Sequence, residues 1–183
     1  TLASGNQSQP RLAALDNGGY AVVWTSPNSG GEGDGSGNAV FAQLYNAAGA
    51  AVGGQQQVNQ QLEGNQDEPD ISGLSGGRYV VTYVSATAST SGDGSGDGVF
   101  ARIFDQFGVP AADEFAVNDT AANDQNDPAV ATLTNGDFVI VWRSQTQDGD
   151  SGGIYGQRFT DTGVEIDHRT VAGRGVVPRN RGH

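Results

Sequence analysis

The sequence predicts an all-β protein of three tandem four-stranded antiparallel units, arranged as β-propeller-like blades. Three observations predict it. Residue types recur at a spacing of 59: Pro10, Pro69 and Pro128; Leu15, Leu74 and Leu133; Tyr20, Tyr79 and Phe138; Trp24, Tyr83 and Trp142. Each copy alternates short β-branched and aromatic runs with Gly, Asn and Asp turn signals, which is the signature of strands and of a repeat architecture. No stretch has the apolar period of a helix. The 183 residues suffice for one domain, burying about 70% of the surface exposed by the unfolded chain. That domain is expected over residues 1–171, with copies at 6–64, 65–123 and 124–171 and a basic Gly/Arg tail over 172–183.

Within a copy, each element has its own signal. The opening segments Asn6-Gln7-Ser8-Gln9-Pro10, Asn65-Gln66-Asp67-Glu68-Pro69 and Asp124-Gln125-Asn126-Asp127-Pro128 are expected to be turns, with Gln7, Gln66 and Gln125 bonding the next unit's backbone. A short first strand, Leu12 to Leu15 in copy one, runs into Asp16-Asn17-Gly18-Gly19, a hairpin signal because Asn and Gly tolerate positive φ. The second strands are Tyr20-Ala21-Val22-Val23-Trp24, Tyr79-Val80-Val81-Thr82-Tyr83 and Phe138-Val139-Ile140-Val141-Trp142. They are apolar on both faces, as strands between two other sheets should be. The equivalent aromatics Trp24, Tyr83 and Trp142 are expected in a core or blade interface rather than on a sugar-stacking platform. Third strands follow at Val40 to Tyr45, Val99 to Phe104 and Ile154 to Phe159, then Asn46-Ala47-Ala48-Gly49 and its counterparts as Asx-type turns. Fourth, weaker strands end near Val58-Asn59, Val117-Asn118 and Val171; the third copy is four residues shorter, in the loop before Ile154.

Three blades fall short of the four to eight of a closed propeller. The chain is therefore expected to be a homo-oligomer or to need the remainder of a longer repeat array; Thr1 to Asn6 align with Gln60 to Asn65, so it starts inside a period. The alternative is a β-trefoil or β-prism, which closes with three units.

Formal charge is -12, from 21 acidic residues against nine arginines without a lysine, and there is neither cysteine nor methionine. Nucleic acid is excluded as a general partner by electrostatics, and thiolate chemistry by composition. No 18-residue apolar run is present, so membrane insertion by a helix is not expected. An extracellular or cell-surface location suits this composition.

The loops between second and third strands carry Asp34, Ser36 and Asn38 in copy one, Asp93, Ser95 and Asp97 in copy two, and Asp148 and Asp150 in copy three, interleaved with glycine. Oxygen-bearing side chains alternating with glycine can curl around Ca²⁺, which takes six to eight oxygens. The same composition also describes a solvated loop. Where an EF-hand places its bidentate Glu, copy two has Phe104. A second acidic cluster, Asp67, Glu68, Asp70, Asp124 and Asp127, could complete a cation site or line a carbohydrate-binding rim. His168 and His183 make no metal or triad pattern.

The succession Asn-Gln-x-x-Pro, hairpin glycines, Val-Val-Trp, a Gly/Asp/Ser loop, an aromatic Ala-Gln/Arg strand and a closing Val-Asn, over about residues 5–171, resembles tandem repeats of large secreted bacterial hemolysin-type (RTX-like) calcium-binding and adhesin proteins. The resemblance implies export, calcium and a surface or matrix role, with no catalytic residue. The tandem Gly-Gly-x-Gly-x-Asp nonapeptides of RTX β-rolls are absent. The expectation is thus a non-enzymatic extracellular Ca²⁺-binding module for adhesion or assembly. A carbohydrate-binding lectin with a glycan partner is the alternative, and a domain of a polysaccharide-degrading enzyme the third.

Overall fold

A computed structural model of the chain describes residues 6–27, 37–61, 64–86, 96–119, 123–145 and 152–172. Twelve strands form three separate four-stranded antiparallel sheets, each a meander in chain order. Blade one holds β1 (Ser8–Ala14), β2 (Tyr20–Pro27), β3 (Asn38–Tyr45) and β4 (Ala51–Gln57). Blade two holds β5 (Gln66–Gly73), β6 (Tyr79–Ser85), β7 (Gly98–Phe104) and β8 (Phe115–Ala116). Blade three holds β9 (Gln125–Thr132), β10 (Phe138–Ser144), β11 (Gly153–Phe159) and β12 (Glu165–Ala172). The first strands pack against one another, β1 on β5 and β5 on β9, so they are the inner strands of neighbouring blades. Among the described residues no strand pairs with a strand of another copy, as the barrel of a trefoil would require.

Cross-strand aromatic pairs fix the register of strands two and three identically in every blade. Tyr20 lies opposite Tyr45, Tyr79 opposite Phe104 and Phe138 opposite Phe159, with ring centroids 4.9, 5.0 and 5.3 Å apart. Four residues further along the second strand, Trp24 stacks on Phe41, Tyr83 on Phe100 and Trp142 on Tyr155. The following turns are closed as their residue types predict: Asn46 Oδ1 accepts from the amides of Ala48 and Ala50, and Asp105 Oδ1 from those of Phe107 and Val109.

Two cores lie between blades rather than within them. Each joins a small aliphatic front to an aromatic back. At the first junction the front is Ala21, Val23, Val40, Ala42 and Leu44, and the back is Tyr79, Val81, Tyr83, Phe100 and Phe104. At the second, Val80, Val99, Ala101 and Ile103 face Phe138, Ile140, Trp142, Tyr155 and Phe159. Each large side chain so buried contributes roughly 1.5–3 kcal/mol. Only β6 is buried along its whole length; β2 and β10 are buried on the face towards blade two and half-open on the other.

Two sequence expectations are corrected. The polar-Pro segment is the beginning of the inner strand rather than a turn before it, because a bulge absorbs the proline that cannot donate to the ladder. Gln66 and Gln125 do bond backbone, but at the end of the preceding copy: their Nε2 atoms donate to the carbonyls of Gly64 at 3.4 Å and Asn123 at 2.9 Å. Each glutamine is fully buried, and its Oε1 accepts from the closing asparagine of the preceding copy, Asn59 at 3.0 Å and Asn118 at 2.9 Å. The same asparagines accept the amides of Val40 and Val99. Each Val-Asn thus ties its own third strand to the next blade's inner strand.

Candidate functional site

At the bulge of each inner strand, the residue before proline has left-handed backbone: φ is 52° at Gln9, 55° at Glu68 and 52° at Asp127. A non-glycine residue there costs about 1–3 kcal/mol, and a following proline disfavours it further. The conformation re-aims the Gln9 and Glu68 side chains towards the next inner strand. Gln9 Oε1 accepts from the Glu68 amide at 2.9 Å and from Thr25 Oγ1 at 2.9 Å. Glu68 Oε2 accepts from the Asp127 amide at 2.8 Å. The three residues, with Arg11, Pro69 and Pro128, line a pocket of about 220 Å³ at the axis. Glu68 is half-buried, while Gln9, Arg11 and Asp127 are exposed.

The pocket therefore offers two carboxylates, one amide and one guanidinium, all from inner strands. Its chemistry is asymmetric although its backbone is repeated: the register of Gln9 reads Glu68 and Asp127 in the later copies, and that of Arg11 reads Asp70 and Ala129. A larger open cleft of about 480 Å³ lies at the opposite ends of the inner strands, among Ala14, Asp16, Gly73, Leu74, Thr132 and Leu133. Its carboxylate, Asp16, accepts from the amides of Gly76 and Gly77 at 2.8 and 2.6 Å, and those amides hold its pKa below the ordinary 3.8. Both Asp16 oxygens are engaged in joining blades and the cleft brings no second carboxylate beside it, whereas the smaller pocket brings two together, which makes it the better candidate.

The other members of the acidic cluster have structural partners. Asp67 accepts from Asn38 Nδ2 at 2.9 Å, Asp70 from the Val130 amide at 2.8 Å, and Asp124 from the Asp97 amide at 3.3 Å. Of the expected Ca²⁺ ligands, Asn38 and Asp97 sit at equivalent positions opening β3 and preceding β7, where they latch onto the next blade through Asp67 and Asp124. Asp34, Ser36, Asp93, Ser95, Asp148 and Asp150 lie outside the described residues. Among the described residues no group of three or more His, Cys, Asp or Glu side chains could hold a metal ion. Away from the axis, Glu114 takes the amides of Gln60 and Gln61 and the hydroxyl of Tyr83. Burial, and then the Glu114 charge, push the Tyr83 hydroxyl pKa well up. This is a clamp on the linker between blades one and two. Tyr83 and Trp142 are fully buried in the two blade-interface cores, as expected, whereas Trp24 is half-buried on the back of blade one, outside both cores, stacked on Phe41.

Sequence reasoning named Glu68 and Asp127 but passed over Gln9 and Arg11. The available signal was the pre-proline register itself, where the three copies carry three different polar groups directly before an invariant proline.

No protein-family model matches the chain, and no curated protein matches it. Solved structures do. An endo-arabinase from Bacteroides thetaiotaomicron VPI-5482 superposes with a TM-score of 0.51 at 10% identity, covering 90% of this chain and 61% of its own. A thermostable family-43 glycoside hydrolase gives 0.56 at 11% identity, covering 98% and 63%. An endo-1,4-beta-xylanase from Bacteroides thetaiotaomicron VPI-5482 gives 0.55 at 14%, covering 90% and 59%. The chain thus spans about three fifths of the length of these proteins. At such identities the likeness is one of fold, and it corrects two expectations. The similarity to RTX-like repeats is overturned, because the blades match glycoside hydrolase structures and no family model supports RTX repeats. The exclusion of an enzyme is overturned too: it rested on a repeat with no distinguished acidic position, whereas the blades adopt a fold that carries glycoside hydrolases and the pre-proline register is asymmetric. The chain has an all-β, propeller-like fold shared with glycoside hydrolases.

Proposed function

We propose that the chain is the blade-bearing part of a polysaccharide-degrading enzyme, receiving a glycan chain at the axial pocket. Glu68 and Asp127 would serve as its acid–base pair, with Gln9 and Arg11 holding sugar hydroxyls. One observation carries this reading: a single axial pocket collects a different polar side chain from each copy at one strained register. Glycoside hydrolysis needs two carboxyl groups with distinct tasks at one bond, one protonating the leaving oxygen and the other activating water or attacking the sugar. Glu68 and Asp127 sit in different surroundings. Glu68 is half-buried with one oxygen held by the Asp127 amide, whereas Asp127 is exposed to solvent. The fold likeness to an endo-arabinase and an endo-1,4-beta-xylanase supports arabinan and xylan as the first substrates to try. Full activity is proposed for the complete propeller around this pocket.

The test is release of reducing ends from arabinan and xylan, with binding followed by affinity electrophoresis. Glu68→Gln keeps an acceptor for the Asp127 amide and removes only the charge and proton. It should lower turnover by about 10²–10⁴-fold with the melting temperature unchanged. A second reading, carbohydrate binding without turnover, is favoured by the amide at Gln9, where a third carboxylate could have stood. It predicts retardation of the protein in glycan gels with no reducing ends formed.

A further inference from the structure

We propose that two copies of this chain join head to tail, each seating the back of its first blade on the front of the other's third blade, to close a six-bladed ring around one axial pocket. The inference rests on the junctions already inside the chain and is independent of the carbohydrate reading.

Each internal junction joins an aliphatic front to an aromatic back at equivalent positions, and the two terminal faces carry the same residue types uncovered. On the back of blade one, Leu12 is 71% and Tyr20 36% exposed, whereas their counterparts Ile71 and Tyr79 are 6% and 1%. On the front of blade three, Leu133 is 36% and Ile154 38% exposed, against 2% for Leu74 and 0% for Val99. A face that is core in one copy is surface in the next, with no exchange to polar residues at these positions. Monomeric proteins seldom leave such apolar faces contiguous and open. The front of blade three departs from the aliphatic pattern at Arg143, in the place of Val84, and Arg158, in the place of Ile103. Arg158 is held by Asp137 in an ion pair at 2.5 Å; against an aromatic back the Arg143 guanidinium can stack on ring faces.

The hydrogen-bond relay at the axis points the same way. Gln9 takes the amide of Glu68 and Glu68 that of Asp127; among the described residues the relay ends at Asp127. In a ring, the Asp127 carboxylate takes the Gln9 amide of the second copy, and the second copy's Asp127 returns the contact. An occupant that repeats the internal junctions is a blade of this repeat, with an aromatic back and a left-handed pre-proline residue. A second copy supplies one of each in a single association. Two identical junctions related by a twofold axis cover all four faces, and six blades fall within the range of closed propellers. The axial pocket is then lined by both copies.

The mass of the full chain in solution tests this. Light scattering at about 10–100 µM, a range that dimers of sub-micromolar affinity saturate, should give twice the 18.8 kDa of one chain. Leu12→Glu and Ile154→Glu alter exposed positions on the back and the front, so each variant should keep its β-sheet circular dichroism and run as a monomer. Mixed one to one, they should recover dimer, because one junction in the mixed pair carries neither substitution. A wild-type monomer throughout the range overturns the proposal, as does a dimer that survives both substitutions. A wild-type dimer whose variants fail to complement overturns the head-to-tail arrangement.

Discussion

At Gln9, Glu68 and Asp127 the chain accepts a backbone that only glycine adopts without cost, and at Gln9 and Glu68 the side chain recovers part of that cost by accepting the neighbouring blade's amide. Conformation and hydrogen bond can be separated at Glu68. Glu68→Ala loses the acceptor and keeps the strain, for an expected loss of about 1–3 kcal/mol. Glu68→Gly also loses the acceptor but relieves the strain, and should be less destabilising by about 1–2 kcal/mol; urea unfolding of the pair gives the difference. Asp16 yields a pH prediction. Its folded pKa lies below 3.8 because the Gly76 and Gly77 amides favour the carboxylate. The stability it contributes is therefore complete above about pH 4 and is lost as pH falls through the lowered value. Asp137, held down by Asn135 and Arg158, acts in the same window. Melting temperatures taken from about pH 6 to pH 2 should fall less steeply for Asp16→Asn than for wild type. None of this was visible in the residue string, because Gln-Pro, Glu-Pro and Asp-Pro read equally well as turns or as bulges on an edge. Proline removes a donor in either setting, and only the packed neighbour distinguishes them.

The strands themselves were legible wherever cross-strand pairing is aromatic. Second and third strands carry Tyr, Trp and Phe at both ends of their paired stretch, and their predicted positions coincide with β2 and β3, β6 and β7, and β10 and β11 except for a few added terminal residues. The outer strands were less legible because little packs on them. In blade two the fourth strand shrinks to Phe115–Ala116, with Pro110 making one isolated bridge to Phe104, since a proline cannot continue the edge ladder. The inner strands were misplaced at their starts for the reason given above. Their close approach makes a further prediction. A Cβ at Gly73 would meet the Ala14 carbonyl oxygen at 2.5 Å, between β5 and β1. Gly73→Ala must push the two inner strands apart, and should cost about 1–3 kcal/mol, seen as a lower denaturant midpoint with an unchanged slope. Ser72, one position earlier, meets blade three instead, accepting the Thr132 amide at 3.1 Å and sharing a 2.8 Å hydrogen bond with its hydroxyl, so Ser72→Ala should cost about 1–3 kcal/mol through the lost acceptor rather than by separating strands.

For the whole molecule, the 59-residue period was enough to foresee three antiparallel units and a propeller-like arrangement, because a repeat that buries apolar residues on both faces of its second strand must stack on copies of itself. The period alone did not distinguish a functional register. Acidic Gly/Asp/Ser loops dominate the composition and suggested Ca²⁺, while the register that matters at the axis is a single polar residue before an invariant proline. Asn38 and Asp97, the two expected ligands within the described residues, link blades. Chemistry in a repeat protein is sought where the scaffold holds constant and the side chain changes, and Gln9, Glu68 and Asp127 meet that condition around one pocket. The most direct measurement is reducing-end release from arabinan and xylan by the wild-type chain and by Glu68→Gln, compared at equal melting temperature. Turnover by the wild type that falls by two or more orders of magnitude in the variant is the predicted result. Turnover that survives Glu68→Gln unchanged, or a wild-type protein that neither binds nor cleaves either glycan, would contradict an axial carbohydrate site.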